Sequence, residues 1–172
     1  MEALKSVIRD IPDFPKEGIV FKDITPLLSD PGSFQKVIDT LKDRYKDKKI
    51  DRVVGIEARG FIFASALAYA LDAGVVMVRK PGKLPYKTYR KTYSLEYGED
   101  SIEIHQDAFG NGQRIVLIDD VLATGGTMAA CADLVQNNFQ AELVEIVFLV
   151  ELDFLNGRQK LGGLPIHSMM HF

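Results

Sequence analysis

Apolar residues fall along this chain in two alternating rhythms. Four short runs are apolar almost throughout: RVVGI from Arg52, GVVMV from Gly74, RIVLI from Arg114 and VEIVFLV from Val144. Their length and β-branched content predict strands buried on both faces, as at the centre of a parallel sheet. Between these runs the apolar spacing widens to three and four. Phe34, Val37, Ile38, Leu41 and Tyr45 mark one helix, with Ser33 as its expected N-cap. Phe61, Ala64, Leu67, Ala68 and Leu71 mark a second. The stretch from Thr127 through Asn138, with Ala130, Cys131, Leu134 and Val135, marks a third. Strand and helix alternate, so the expected class is α/β: a central, mostly parallel sheet flanked by helices, with right-handed crossovers.

Two regions break the rhythm. KTYSLEYGEDSIEIH, from Lys91 to His105, predicts two strands joined near Gly98 to Asp100. Ahead of it KPGKLPYKTYRK, from Lys80 to Lys91, is basic, holds two prolines and has no period; long irregular loops in compact domains are commonly functional. The N-terminal segment IPDFPKEGIVFKDITPLLSDP reads as irregular too. No repeat or linker divides the chain, so a single domain over residues 1–172 is expected.

Composition narrows the classes. A chain of 172 residues has room for one sizeable core. With 47% hydrophobic and 26% charged residues it is ordinary globular protein rather than a disordered one. A net charge of −3 leaves no electrostatic footprint for nucleic acid. One cysteine, Cys131, excludes an internal disulfide and fits a reducing compartment. No apolar run approaches the ~20 residues of a membrane helix, and MEALKSVIRDIPDFP lacks the apolar centre of a secretion signal. The expected location is cytoplasmic, with neither nucleic acid nor membrane as partner.

The candidate chemistry lies in VLIDDVLATGGT, from Val116 to Thr127. Two adjacent acids follow a buried strand, and a loop of small residues leads into a helix. In open α/β sheets ligands bind beyond the carboxyl ends of the strands, which puts Asp119 and Asp120 at that rim. The free N–H groups at the start of the next helix make an anion site. Gly125 and Gly126 let the backbone close around a phosphate, and Thr124 and Thr127 add hydroxyl donors. A sugar phosphate has both halves that such a site takes: a diol for the carboxylates and a phosphate for the loop. No Lys follows the glycines, which excludes a Walker A loop, and the spacing excludes a Rossmann fingerprint. A second strand-loop-helix unit, GIEARGFIFASALA from Gly55, carries Arg59 at its turn, where spacing alone fits equally a surface Arg before a helix and an Arg making paired hydrogen bonds to a phosphate group. Arg79 and Lys80 follow the next strand, and Lys83 lies in the loop beyond.

The run of apolar strand, two acids, short spacer and Thr-Gly-Gly-Thr resembles the 5-phosphoribosyl-1-pyrophosphate (PRPP) motif of the type I phosphoribosyltransferases. FPKEGIVFKDITPLLSDP, GIEARGFIF, RKPGKLP, YSLEYG, DDVLATGGTM and LVELDFLNGRQKLGG stand in the order found in the adenine-using branch of that family, over nearly the whole chain. The resemblance implies the family fold, with a small hood to which residues 1–30 or so contribute and a flexible hairpin loop. It implies a purine-salvage reaction: adenine and PRPP give AMP and pyrophosphate. Asp119 and Asp120 would bind the ribose hydroxyls, and Ala123, Thr124, Gly125, Gly126 and Thr127 the 5′-phosphate. Arg59 would touch pyrophosphate, with Arg79, Lys80 and Lys83 adding charge nearby. Glu96 would handle the proton at the imidazole nitrogen of the base. Val20 and Lys22 would form part of the adenine pocket, Val20 through its backbone N–H and C=O, and Leu152 would pack on the ring. The family has Arg or Lys at the position of Lys22. Mg²⁺ would arrive on PRPP, since no dedicated protein metal cage is visible, and a homodimer is implied.

Three other readings stand beside this one. Relatives acting on 6-oxopurines place an acid just before the Thr of the phosphate loop, where this chain has Ala123. SLEYG and GIVFKDITPLL do not suit an orotate enzyme. A regulator that binds PRPP without turnover tends to lack the pyrophosphate Arg or the hairpin acid, and Arg59 and Glu96 are both present.

Overall fold

The computed structural model describes residues 2–94 and 98–172. The chain divides into two compact units, Met1–Arg44 and Tyr45–Phe172.

The first unit holds α1 (Glu2–Lys5), β1 (Arg9–Pro12), β2 (Val20–Asp23) and α2 (Thr25–Ser29), and α3 (Pro31–Tyr45) runs to its boundary. The N-terminal segment is therefore not wholly irregular. β1 and β2 pair antiparallel, from Arg9 opposite Asp23 to Pro12 opposite Val20. Cross-strand ion pairs, Arg9 with Asp23 at 2.6 Å and Lys22 with Asp10 at 2.7 Å, help to hold this ribbon. Its four-residue strands bury no apolar face, so no alternation announces them. α3 starts at Pro31, a residue preorganised for a first helical turn. The Asp30 carboxylate accepts the Ser33 N–H at 2.7 Å, so Asp30, not Ser33, supplies the capping side chain.

The second unit contains β3 (Arg52–Ile56), α4 (Gly60–Ala70), β4 (Gly74–Val78), β5 (Thr88–Ser94), β6 (Glu99–His105), β7 (Arg114–Leu122), α5 (Gly126–Asn138), β8 (Glu142–Glu151) and β9 (Ile166–His171). Five strands form a parallel sheet in the order β4-β3-β7-β8-β9. The α/β class expected from the sequence is the class observed. β3, β7 and β8 are the buried centre. β4 lies at an edge, so its outward residues Val75 and Met77 are exposed rather than buried as expected. β9 forms the other edge and was not anticipated, because IHSMMH mixes polar and apolar positions. Leu117, Ile146 and Phe148 of the sheet share one core with Met128, Cys131, Leu134 and Val135 of α5 and with Ile102 and Ile104 of β6.

Two boundaries matter for the site. β7 does not stop at Ile118: Asp119, Val121 and Leu122 pair with Phe148, Val150 and Glu151 of β8. The two acids are thus fixed within a strand. β5 and β6 pair antiparallel from Thr88 opposite His105 to Ser94 opposite Glu99. Glu99 and Asp100 therefore belong to β6, Asp100 opposite Tyr93, although the two strands were expected to join near Gly98 to Asp100. Of the basic stretch expected to be irregular, residues 88–91 belong to β5.

Candidate active site

The phosphate-binding candidate is built on backbone geometry. Gly125 caps α5 in the left-handed region, at φ 78°, which a side chain would strain. A Cβ at Gly125 would also lie 2.3 Å from the carbonyl oxygen of Gly157, and one at Gly157 would lie 2.2 Å from that of Ala123. The loop and the segment carrying Gly157 interlock, and both contacts need hydrogen in place of a side chain. Gly157 escaped the sequence reading; the turn-prone pair Asn156-Gly157 was the available signal. A cavity of about 90 Å³ opens beside this loop, lined by Ala123, Thr124, Gly125, Gly126 and Thr127, with Asp119 at its side. The first-turn N–H groups of α5 have no intrahelical acceptors and carry the positive end of its dipole.

Asp119 and Asp120 differ in environment. The Asp119 Oδ1 accepts the Asp120 backbone N–H at 2.9 Å. Burial, and then the neighbouring Asp120 charge, pushes the Asp119 carboxyl well above the usual carboxylate range. Asp120 is 5% exposed and takes a charge-assisted hydrogen bond from Arg59 Nε. α4 comes close enough for this because Gly60 has no side chain: a Cβ there would meet the Ile118 carbonyl oxygen at 2.9 Å and Asp119 Oδ1 at 3.0 Å.

Glu57 organises the basic residues and was not singled out from the sequence. Its Oε2 accepts Arg79 Nε at 3.2 Å and the Lys80 N–H at 3.0 Å, while Oε1 accepts Lys83 Nζ at 2.7 Å. Burial alone would raise its pKa, but Lys83, the Lys80 N–H and Arg79 together pull it from 4.5 to about 2. Lys80 itself is ion-paired to Asp100. A second cavity, of about 200 Å³, is lined by Glu57, Arg59, Lys80, Tyr93, Asp100, Asp119, Asp120 and Thr127. The structure thus gathers Arg59, Lys80, both acids and Thr127 around one space. Arg79 and Lys83 meet it indirectly, through Glu57. A larger open groove, about 800 Å³, runs past Tyr93 between β5 and α5. Its walls are mainly small and apolar residues, with Lys91 already paired to Asp133, so the smaller, charged cavities are the better candidates for the site.

Leu152 follows β8 and donates its N–H to the Leu122 carbonyl at 3.0 Å, which ties it to the end of β7. Val20 and Lys22 lie on β2 in the first unit, Val20 47% exposed and Lys22 paired with Asp10. Glu96 lies outside the described residues. Among the described residues, Glu151, Asp153 and His171 have ligand atoms close enough to share a metal ion. They sit at the ends of β8 and β9, where Arg158 holds Glu151 at 2.6 Å and His171 holds Asp153 at 2.8 Å.

A parallel sheet with paired acids at the end of a central strand and a glycine-built loop after it matches a known family. Residues 23–160 match the phosphoribosyl transferase domain, which fixes the class. The chain is 60% identical over 172 residues to the adenine phosphoribosyltransferase of Geotalea daltonii, covering 100% of each. The crystal structure of adenine phosphoribosyltransferase from Thermoanaerobacter pseudethanolicus superposes with a TM-score of 0.94 at 52% identity, over 99% of both chains. The enzyme from Saccharomyces cerevisiae, solved with an imino-altritol bisphosphate and adenine, superposes with a TM-score of 0.91 at 44% identity, over 98% of this chain and 97% of that one. This chain belongs to the adenine phosphoribosyltransferase family.

Proposed function

We propose that this protein transfers the 5-phosphoribosyl group of PRPP to adenine, giving AMP and pyrophosphate, as a purine-salvage enzyme. The observation that carries this reading is the pair of adjoining cavities at the end of β7. One has the anion loop of residues 123–127, the other has Arg59 and Lys80, and Asp119 lines both. A sugar carrying phosphate at one end and pyrophosphate at the other has that shape and charge.

Each residue then has a task. Backbone N–H groups of Ala123 to Thr127 and the hydroxyls of Thr124 and Thr127 receive the 5′-phosphate. Asp119 and Asp120 accept hydrogen bonds from the ribose hydroxyls, and the Asp120 carboxylate stabilises positive charge building on the ring as the C1′–O bond breaks. Arg59 and Lys80 meet the leaving pyrophosphate, while Arg79 and Lys83, gathered by Glu57, raise the local positive potential. Glu96, by its place in SLEYG, takes the proton of the base's imidazole nitrogen. Leu152 packs on the ring, and Val20 and Lys22 are assigned to the base by their place in the family pattern. Pro12, opposite Val20, has no N–H to donate to the Val20 carbonyl, which supports a role for that carbonyl in accepting from the base's amino group.

Mg²⁺ fits as an ion carried by the substrate. Asp120 already pairs with Arg59, and the buried Asp119 carboxyl is shifted toward its neutral form, so the two would hold the ion through substrate hydroxyls and water. When bound, it neutralises charge on the pyrophosphate.

A second copy of the chain is the proposed partner. Ile62 and Tyr69 of α4 and Val75 and Met77 of β4 are exposed apolar side chains on adjoining elements, and Tyr69 is 88% exposed. Apolar surface grouped in this way suits a homodimer contact. No helix among the described residues is long and apolar enough to cross a membrane, which is compatible with the proposed cytoplasmic location.

Purified protein with PRPP, Mg²⁺ and adenine tests the reading. Equimolar AMP and pyrophosphate are expected, and no product at high enzyme concentration would contradict it.

A further inference from the structure

We infer that the Tyr93 hydroxyl is a positioning group that couples the two ends of the substrate site, linking the phosphate loop to Lys80 through Asp100. The inference rests on the placement of the 5′-phosphate in residues 123–127 and of pyrophosphate by Lys80.

β5 lies along α5 and is fastened by alternate residues, which share one strand face. Tyr89 meets the Phe139 ring edge-on at 5.4 Å between centroids. Lys91 pairs with Asp133 at 2.6 Å. Tyr93, nearest the site, reaches Thr127 Oγ1 at 3.1 Å. The strand passes directly over Gly126, where a Cβ would stand 3.8 Å from the Tyr93 ring and 4.0 Å from the Ser94 carbonyl oxygen. On its other side the Tyr93 hydroxyl lies 3.3 Å from Asp100 Oδ2, the same oxygen that takes the Lys80 ammonium. A line of polar groups therefore runs from the phosphate loop to the pyrophosphate side of the cavity.

Proton counting gives this line a direction. A tyrosine hydroxyl has one proton, and so does a threonine hydroxyl. Burial would raise the Asp100 pKa, but Lys80 and the Ser101 N–H hold it below the usual carboxylate range, so it is ionised and can only accept. Burial keeps Tyr93 protonated. Tyr93 therefore donates to Asp100, and Thr127 donates to Tyr93. In the empty site the Thr127 proton is committed to the protein. A phosphate in the loop claims that proton. Tyr93 then turns its own proton to the Thr127 oxygen, Asp100 loses a donor, and its Oδ2 binds Lys80 more strongly. Occupancy of the phosphate loop thus withdraws Lys80 from pyrophosphate, which favours pyrophosphate departure while the nucleotide's phosphate is still held. By linkage, each ligand weakens the other by the same factor.

Tyr93→Phe keeps the ring and removes the proton. Calorimetric titrations with ribose 5-phosphate and with magnesium pyrophosphate, each alone and then pyrophosphate at saturating ribose 5-phosphate, read both ends separately. The variant should bind ribose 5-phosphate roughly fivefold more tightly and pyrophosphate roughly fivefold more weakly, about the effect of one net hydrogen bond in each case. Ribose 5-phosphate should weaken pyrophosphate binding in the wild type and leave it unchanged in Tyr93→Phe. Asp100→Asn, which releases Lys80 and accepts from Tyr93 only as a neutral amide, should tighten pyrophosphate and, because Tyr93 then turns to Thr127 at lower cost, tighten ribose 5-phosphate slightly. A packing defect in Tyr93→Phe would move both ligands the same way. In Tyr93→Phe, shifts of one sign for both ligands or unchanged affinities would overturn the inference, as would weaker pyrophosphate binding in Asp100→Asn. Failure of the wild type to bind ribose 5-phosphate would overturn the phosphate-loop assignment and this inference with it, and that outcome is visible without any variant.

Discussion

Arg59 donates its Nε proton to the buried carboxylate of Asp120, tying the first turn of α4 to the end of β7. One bond therefore joins the residue proposed for pyrophosphate to one of the two proposed for ribose. Arg59→Lys preserves a charge for Asp120 but loses the planar fork that can hold carboxylate and phosphate oxygens together. We expect Arg59→Lys to lower kcat/KM for PRPP by about 10²-fold, or about 2.7 kcal/mol of barrier, with little change in unfolding temperature. Arg59→Ala should also lower thermal stability, because it leaves the Asp120 charge buried and unpaired. Steady-state kinetics beside thermal unfolding separates the two effects.

Asp119 and Asp120 illustrate a trade of stability for function. The raised Asp119 pKa means that ionising it in the folded protein is unfavourable. Asp119→Asn keeps an oxygen for the Asp120 N–H and removes the repulsion. The variant should unfold at a higher temperature than the wild type, by the equivalent of about 1 kcal/mol, and turn over at least tenfold more slowly. A variant that is both less stable and fully active would refute the assigned role.

Glu57 predicts a pH signature. Its folded-state pKa is depressed to about 2 from 4.5, and its side chain is only 13% exposed. A depressed carboxyl pKa contributes stability that is fully present above pH 4.5 and is lost as pH falls toward 2. Glu57→Gln should therefore cost up to about 3 kcal/mol at neutral pH. The gap between wild type and variant should shrink below pH 4.5 and close near pH 2. Urea unfolding of both proteins across that window measures it; a gap independent of pH would show that the charge is not responsible.

Gly157 should tolerate no side chain. Gly157→Ala drives a Cβ into the Ala123 carbonyl, 2.2 Å away, and neither backbone can yield without the other. We expect a loss of about 2–4 kcal/mol in stability and weakened binding of ribose 5-phosphate. Gly162→Ala, at a glycine with open space around its Cβ but a left-handed φ of 58°, provides the comparison: backbone strain without the clash. Its cost should be smaller and its phosphate affinity unchanged.

The sequence was most legible where a single principle governs. β3, β7 and β8 could be read because a buried strand must be apolar, and the turn at 123–127 because adjacent glycines mark a tight strand-to-helix connection. Reading failed where pairing partners decide. The β1–β2 ribbon rests on ion pairs between residues more than ten positions apart, such as Lys22 and Asp10. β9 is a strand because β8 lies beside it, with Ile146 opposite Ile166. Glu57 was not singled out in GIEARG, since nothing local says that Arg79, Lys80 and Lys83 converge on it. Tyr93 and Asp100 meet only after the hairpin register is set.

The central claim, a phosphoribosyl transfer specific for adenine, is tested most directly by kcat/KM for adenine and hypoxanthine with PRPP and Mg²⁺. Adenine offers an acceptor at N1 and a donor at its 6-amino group; hypoxanthine reverses both. A site that reads this edge through buried hydrogen bonds should prefer adenine by on the order of 10⁴-fold. Val20→Ala should retain that preference, since the proposed reading is by the main chain of Val20. Loss of the preference in Val20→Ala alone would remove the backbone mechanism and leave the activity standing. Comparable kcat/KM values for the two bases in the wild-type protein would contradict the adenine assignment itself.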